Sequence, residues 1–154
     1  MTQEEKQLLL KDLCVRLPYG VICHTEEGDG YLCSINQTIF GTEYGLNINP
    51  LKRDYFNDSE TDEQVVKPYL RLMSSMTEEE LKELNDRYGS IAYFFLQEPP
   101  YYHGLQAQHS DIGSIEISEF SEIYDWLNAH HFDYRGLIEK GLALEAPEEM
   151  YKTE

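Results

Sequence analysis

Imidazole is the commonest metal ligand and titrates near neutrality, so the histidines are the first residues to place. His103, His109 and Asp111 fall within one stretch that a loop could gather into part of a metal site. Zinc there would need a fourth ligand and outer hydrogen bonds to orient the first three. His130 and His131 are adjacent, so on a helix they diverge by about 100° and do not readily share one ion. His131 follows the apolar positions of its segment, with Asp133 nearby to orient it, the pattern of a core or capping histidine.

Thiols offer a second chemistry. Cys23 and Cys33 stand symmetrically about Gly28; a hairpin centred there would set their Cβ atoms roughly 4.5–5.5 Å apart. Free cysteines commonly pack as small hydrophobes. A redox or soft-metal pair is the sharper alternative, although two thiolates without a nearby His or Cys make a poor zinc site. No CxxC, HExxH or phosphate-cradling Gly loop occurs, and no serine has a nucleophile-elbow context. Carboxylate pairs are too frequent in so acidic a chain to indicate a hydrolase. Beside Pro99 and Pro100, Tyr101, Tyr102 and His103 form an aromatic tip suited to recognition, since aromatics are enriched at interface hot spots. The simpler expectation for the same loop is that it folds down over its own core.

The elements that must carry these residues are legible from periodicity and punctuation. Thr2 and Glu5 have capping-box spacing, and Leu9, Leu10, Leu13, Cys14 and Leu17 recur at helical intervals. A helix is expected over Gln3 to Arg16, stopped by Pro18. Gly20 to Thr25 and Tyr31 to Phe40 read as a hairpin around the loop Glu26 to Gly30, with Tyr31, Cys33, Ile35 and Ile39 on one face. Tyr44 to Ile48 suits a third strand. Gln64 to Met73 suits another, with Pro68 at a strand start, bulge or edge. A second capping box, Thr77 with Glu80, opens a helix that buries Leu81, Leu84 and Tyr88 and ends at Gly89. Strands are expected at Ser90 to Leu96 and Ile112 to Ile117, around an exposed loop at Gln97 to Ser110. Ser118 caps a third helix running through His131, with Phe120, Ile123, Tyr124 and Leu127 inward and Trp126 largely buried on its flank. A short last helix from Asp133 to Lys140, closed by Gly141, completes the order.

Strands in runs, not alternating with helices, indicate an α+β fold. The expected architecture is a mainly antiparallel sheet, its N-terminal meander small and barrel-like, packed with three to four helices. One domain over 1–144 and a loose acidic tail over 145–154 account for the 154 residues. A hydrophobic fraction of 41% is that of a folded globular chain.

Twenty-nine acidic residues against 12 basic give a formal charge of −17. That balance opposes nucleic-acid binding, which needs a Lys/Arg footprint, and docking on anionic lipid. Its simplest role is solubility; mimicry of nucleic acid towards a basic partner is the sharper one. The N-terminal residues lack a signal-peptide core, no apolar run is long enough to span a membrane, and three cysteines do not suggest a secreted disulfide framework. A cytoplasmic location is the expectation.

Leu8 to Val21 (LLLKDLCVRLPYGV), Val66 to Glu80 (VKPYLRLMSSMTEEE) and Asp125 to Tyr151 (DWLNAHHFDYRGLIEKGLALEAPEEMY) resemble segments of an uncharacterised family of small proteins. Members of that family are encoded in gut anaerobic bacteria and their prophages or mobile elements. The resemblance implies a cytoplasmic bacterial protein of phage-associated origin, and carries no activity, cofactor or site residue with it. With no catalytic apparatus evident and no cofactor implied, the expected function is that of a non-enzymatic protein-binding or adaptor protein with an unknown partner. The alternative is a small metal-dependent hydrolase using His103, His109 and Asp111 of the loop, or His131 with Asp133.

Overall fold

A computed structural model describes residues 1–37, 44–51, 54–56, 66–88 and 117–152. The chain divides into two compact units: Met1–Leu70 with Leu137–Glu154, and Arg71–Gly136.

In the first unit, helix α1 (Gln3–Arg16) opens on the expected capping box. The Glu5 N–H donates to Thr2 Oγ1 (3.1 Å), and the Thr2 N–H donates to Glu5 Oε2 (2.7 Å). Leu17–Tyr19 continues as a 3₁₀ turn with Pro18 in its first positions. The buried face of α1 is rotated from the expected stripe: Lys6, Leu9, Asp12, Leu13 and Arg16 are buried, whereas Cys14 is exposed. Asp12 and Arg16, one turn apart, make the charges tolerable through a fork of Nε to Oδ2 (2.7 Å) and Nη2 to Oδ1 (3.1 Å).

Six strands follow among the described residues: β1 (Ile22–Thr25), β2 (Gly28–Gln37), β3 (Tyr44–Asn49), β4 (Asp54–Phe56), β5 (Lys67–Leu70) and β6 (Leu144–Glu145). Their order across the sheet is β4-β3-β2-β1-β5-β6. All neighbours are antiparallel except β5 and β6, which run parallel, so the sheet is mixed. The direction of β6 is free of hairpin constraint because its chain returns from far along the sequence. Among the described residues β4 and β6 are the two edges and do not meet, so the expected barrel-like closure is absent. Closure would require one further ladder between those short strands.

The hairpin forms, but in a different register. Thr25 pairs with Gly28, which leaves only Glu26 and Glu27 in the loop. Thr25 Oγ1 locks this turn, donating to Gly28 O (2.8 Å) and accepting from the Glu27 N–H (3.2 Å). Both glycines therefore belong to the strand. Gly28 has φ +129, and at Gly30 a Cβ would lie 2.6 Å from Asn49 O, so only glycine lets β2 and β3 approach this closely. Cys23 consequently faces Gly30, not Cys33. Cys23 is buried and Cys33 exposed, so the thiols do not form a pair. Burial, followed by the Asp12 charge, pushes the Cys23 thiol up to about 12.

Cys33 is the extra residue of a β-bulge: Leu32 pairs with Ile48 and Ser34 with Asn47. The bulge switches the facing parity. Both Leu32 and Ile35 thereby contribute to a core built from Leu9, Leu13, Val21, Leu46, Ile48, Leu70, Leu137 and Leu142.

The segment from Leu144 to Tyr151, most of the expected loose tail, is tied to the sheet. Beyond β6, the Ala146 N–H donates to Leu70 O (2.7 Å). Tyr151 inserts its hydroxyl beyond the β1–β5 pairs, accepting from the Ile22 N–H (3.0 Å) and donating to Tyr69 O (2.8 Å).

In the second unit, α2 (Glu78–Tyr88) also has its capping box, with the Glu80 N–H to Thr77 Oγ1 (3.2 Å) and the Thr77 N–H to Glu80 Oε2 (2.9 Å). Helix α3 (Ile117–Ala129) starts before Ser118 and stops two residues short of His131. His131 adopts φ +60. The Phe132 N–H reaches Leu127 O (3.0 Å) and the His131 N–H reaches Asn128 O (3.1 Å). This is a Schellman termination with histidine where glycine is usual. Ile123, Trp126, Leu127, Phe132, Met73 and Leu84 form the core. Trp126 is 6% exposed and stacks between His130 (3.8 Å) and Phe132 (5.9 Å), as its expected burial requires. The expected helix from Asp133 to Lys140 is a series of turns. The strands expected at Ser90 to Leu96 and Ile112 to Ile117 lie outside the described residues, save for Ile117, which begins α3.

Three measurements check this architecture. A thiol reagent titrates Cys14 and Cys33 in native protein and Cys23 only after unfolding. Reaction of Cys23 at the rate of the other two would contradict the register. Tyr151→Phe costs about 1–3 kcal/mol in denaturant unfolding, because it strips a half-buried N–H and a half-buried carbonyl of their shared partner. Trp126→Ala costs about 3–5 kcal/mol, the range for large aromatic truncation in a core.

Candidate functional site

Alternation along β1, β2 and β5 puts one set of side chains in the core and the other on the outer sheet face. His24 on β1 is the cross-strand partner of Asp29 on β2 and, on its other side, of Lys67 on β5. Tyr69, two residues beyond Lys67, reaches the same point. His24 Nδ1 lies 2.8 Å from Asp29 Oδ1, and the Tyr69 hydroxyl lies 3.3 Å from that oxygen and 3.4 Å from Nδ1. The imidazole and phenol rings meet edge to face at 6.1 Å. Tyr31, cross-strand from Ile22 and Asn49, continues the face and is 54% exposed.

The electrostatics follow from this geometry. Desolvation, then the Asp29 charge and hydrogen bond, raise the Tyr69 phenol above its ordinary value, so it remains a donor. The Asp29 contact engages Nδ1 of the His24 ring and leaves Nε2 as the second nitrogen. A carboxylate-oriented imidazole is the arrangement general acid–base chemistry uses. The His24 and Asp29 side chains are 47% and 44% exposed, however, and this wet setting suits contact with another molecule better than a reaction that must exclude water.

The second unit has its own charged cluster. Arg71 forks onto Glu80 (2.6 and 2.8 Å) and lies over the Phe132 ring at 4.2 Å. Burial opposes ionisation of Glu80. The Arg71 and Thr77 hydrogen bonds, with the charges of Arg71 and His130, outweigh it and hold the carboxyl below its ordinary value. Trp126 Nε1 donates to Glu83 (3.2 Å), and His130 Nδ1 donates to Trp126 O (2.9 Å). These groups serve the packing of α2 against α3.

His103, His109 and Asp111, and the aromatic tip Tyr101, Tyr102 and His103, lie outside the described residues. His130 and His131 do not converge: one stacks on Trp126, the other is the buried turn residue after α3. Among the described residues no group of three or more His, Cys, Asp or Glu side chains is placed to hold a metal ion. No helix among them is long and apolar enough to cross a membrane.

Sequence reasoning missed the His24, Asp29 and Tyr69 cluster. A two-residue loop at Glu26 and Glu27 would have set His24 opposite Asp29. Nothing local to Tyr69 indicates that β5 lies beside β1. Comparison of the chain with family models, with curated proteins and with solved structures finds no match.

Proposed function

We propose that this chain is a non-enzymatic protein-binding adaptor that engages its partner through the outer face of β2, β1 and β5. The observation that carries this reading is a solvent-facing patch in which His24, Asp29 and Tyr69 are already held in place. Tyr69 and His24 converge on one Asp29 oxygen, and Tyr31 stands beside them, more than half exposed. Groups ordered before binding lose less freedom on association, and tyrosine offers a large contact area with few rotatable bonds. One version of the role, resting on the phage-associated origin expected from three segments of the sequence, is an inhibitor of a host protein.

The His24–Asp29 contact favours a second reading, an acid–base site acting from Nε2. The two readings separate on Tyr31, which touches neither reacting atom of such a site but lies in the contact patch.

The test is affinity capture from a lysate of the source organism, followed by reconstitution with the purified partner. The native chain should retain the partner, and Tyr31→Ala with Tyr69→Ala should lose it while keeping the native circular dichroism spectrum. Undiminished binding by that variant would move the contact surface elsewhere. A hydrolytic activity abolished by His24→Ala and untouched by Tyr31→Ala would favour the second reading.

A further inference from the structure

Resting on that reading, we infer that the partner presents an arginine-containing basic segment, seated on the Tyr31 and Tyr69 rings with its guanidinium on Asp29. Three features of the outer face support this occupant. Asp29 is anchored through one carboxylate oxygen only, Oδ1, which takes both His24 and Tyr69. Oδ2 has no partner among the described residues. The carboxylate is thus aimed and still half available, as a charge-assisted fork requires.

Charge supplies the second argument. The hairpin tip adds the exposed Glu26 and Glu27 beside Asp29, against Lys67 on β5. The whole chain carries −17. A field of that sign draws cationic partners and repels acidic ones. Protein is favoured over other cationic ligands because the strand face presents a cross-strand row from Asn49 through Tyr31 to Ile22, longer than a small ion fills.

The third argument is the pairing of an aromatic ring with a carboxylate. A guanidinium stacks on a ring while forking onto a carboxylate, which an ammonium does less well. The second unit already contains this combination, with Arg71 over Phe132 and forked onto Glu80. Tyr31, Tyr69 and Asp29 offer the same two surfaces without an arginine of their own.

The test uses the full chain labelled for amide NMR and three pentapeptides alternating glycine with arginine, lysine or glutamate. The arginine peptide should shift the amides of β1, β2 and β5 around His24, Asp29, Tyr31 and Tyr69. The lysine peptide should bind more weakly and the glutamate peptide not at all. Asp29→Asn, and separately Tyr31→Ala, should weaken arginine-peptide binding about tenfold, whereas Glu79→Gln, an exposed charge on α2, should leave it unchanged. Shifts spread over acidic residues of both units, or equal weakening by Glu79→Gln and Asp29→Asn, would overturn the inference as mere bulk attraction. Absence of arginine-peptide binding, with partner capture still lost in the Tyr31→Ala, Tyr69→Ala variant, would overturn it while leaving the adaptor reading intact. Loss of neither would sink both.

Discussion

The register of the β1–β2 hairpin is the constraint on which the first unit depends. Side chains alternate across a strand, so a one-residue slip would exchange the core face for the solvent face along its length. The two-residue loop at Glu26 and Glu27 and the Thr25 hydroxyl hold that register. It turns Cys23 and Leu32 inward and His24, Asp29 and Tyr31 outward. Core and candidate contact surface are therefore two consequences of one turn. Gly30 completes the arrangement by letting β3 approach where a side chain would collide with its backbone.

Helix α1 shows a different economy. Its buried face carries Lys6, Asp12 and Arg16 among leucines, an arrangement that costs desolvation energy unless each charge meets a partner. Asp12 and Arg16 meet within the helix itself, at i and i+4. The Asp12 charge also helps keep the Cys23 thiol protonated, linking the helix to the inward side of β1. Across the sheet, Tyr151 brings a residue from the C-terminal segment into the β1–β5 ladder. One hydroxyl serves an N–H and a carbonyl at once. That contact ties the acidic C-terminal segment to the end of the β1–β5 ladder.

The second unit organises its polar groups around helix ends. Glu80 closes the N-terminus of α2 and takes the Arg71 fork, so one carboxylate caps a helix and anchors a charge. His131 ends α3 in the left-handed conformation, which histidine enters more readily than most residues other than glycine, asparagine and aspartate. Phe132 is thereby turned back onto Leu127 and Trp126, and its ring receives Arg71.

By itself the sequence determined what depends on neighbours three or four residues away. The Thr2–Glu5 and Thr77–Glu80 boxes, the stop at Pro18, the existence of a hairpin after Gly20 and the burial of Trp126 were all legible, because capping, φ restriction and helical periodicity are local. The α+β class followed from the order of those elements. Only the tertiary structure decided the register at Cys23, the bulge at Cys33, the rotation of α1 onto buried charges and the capture of Tyr151. The His24 and Asp29 half of the candidate site was within reach of a correct loop length. Its Tyr69 half was not, since it comes from a strand 45 residues away. Each of these choices rests on a partner distant in sequence, and periodicity within one segment carries no information about which strand will lie beside it.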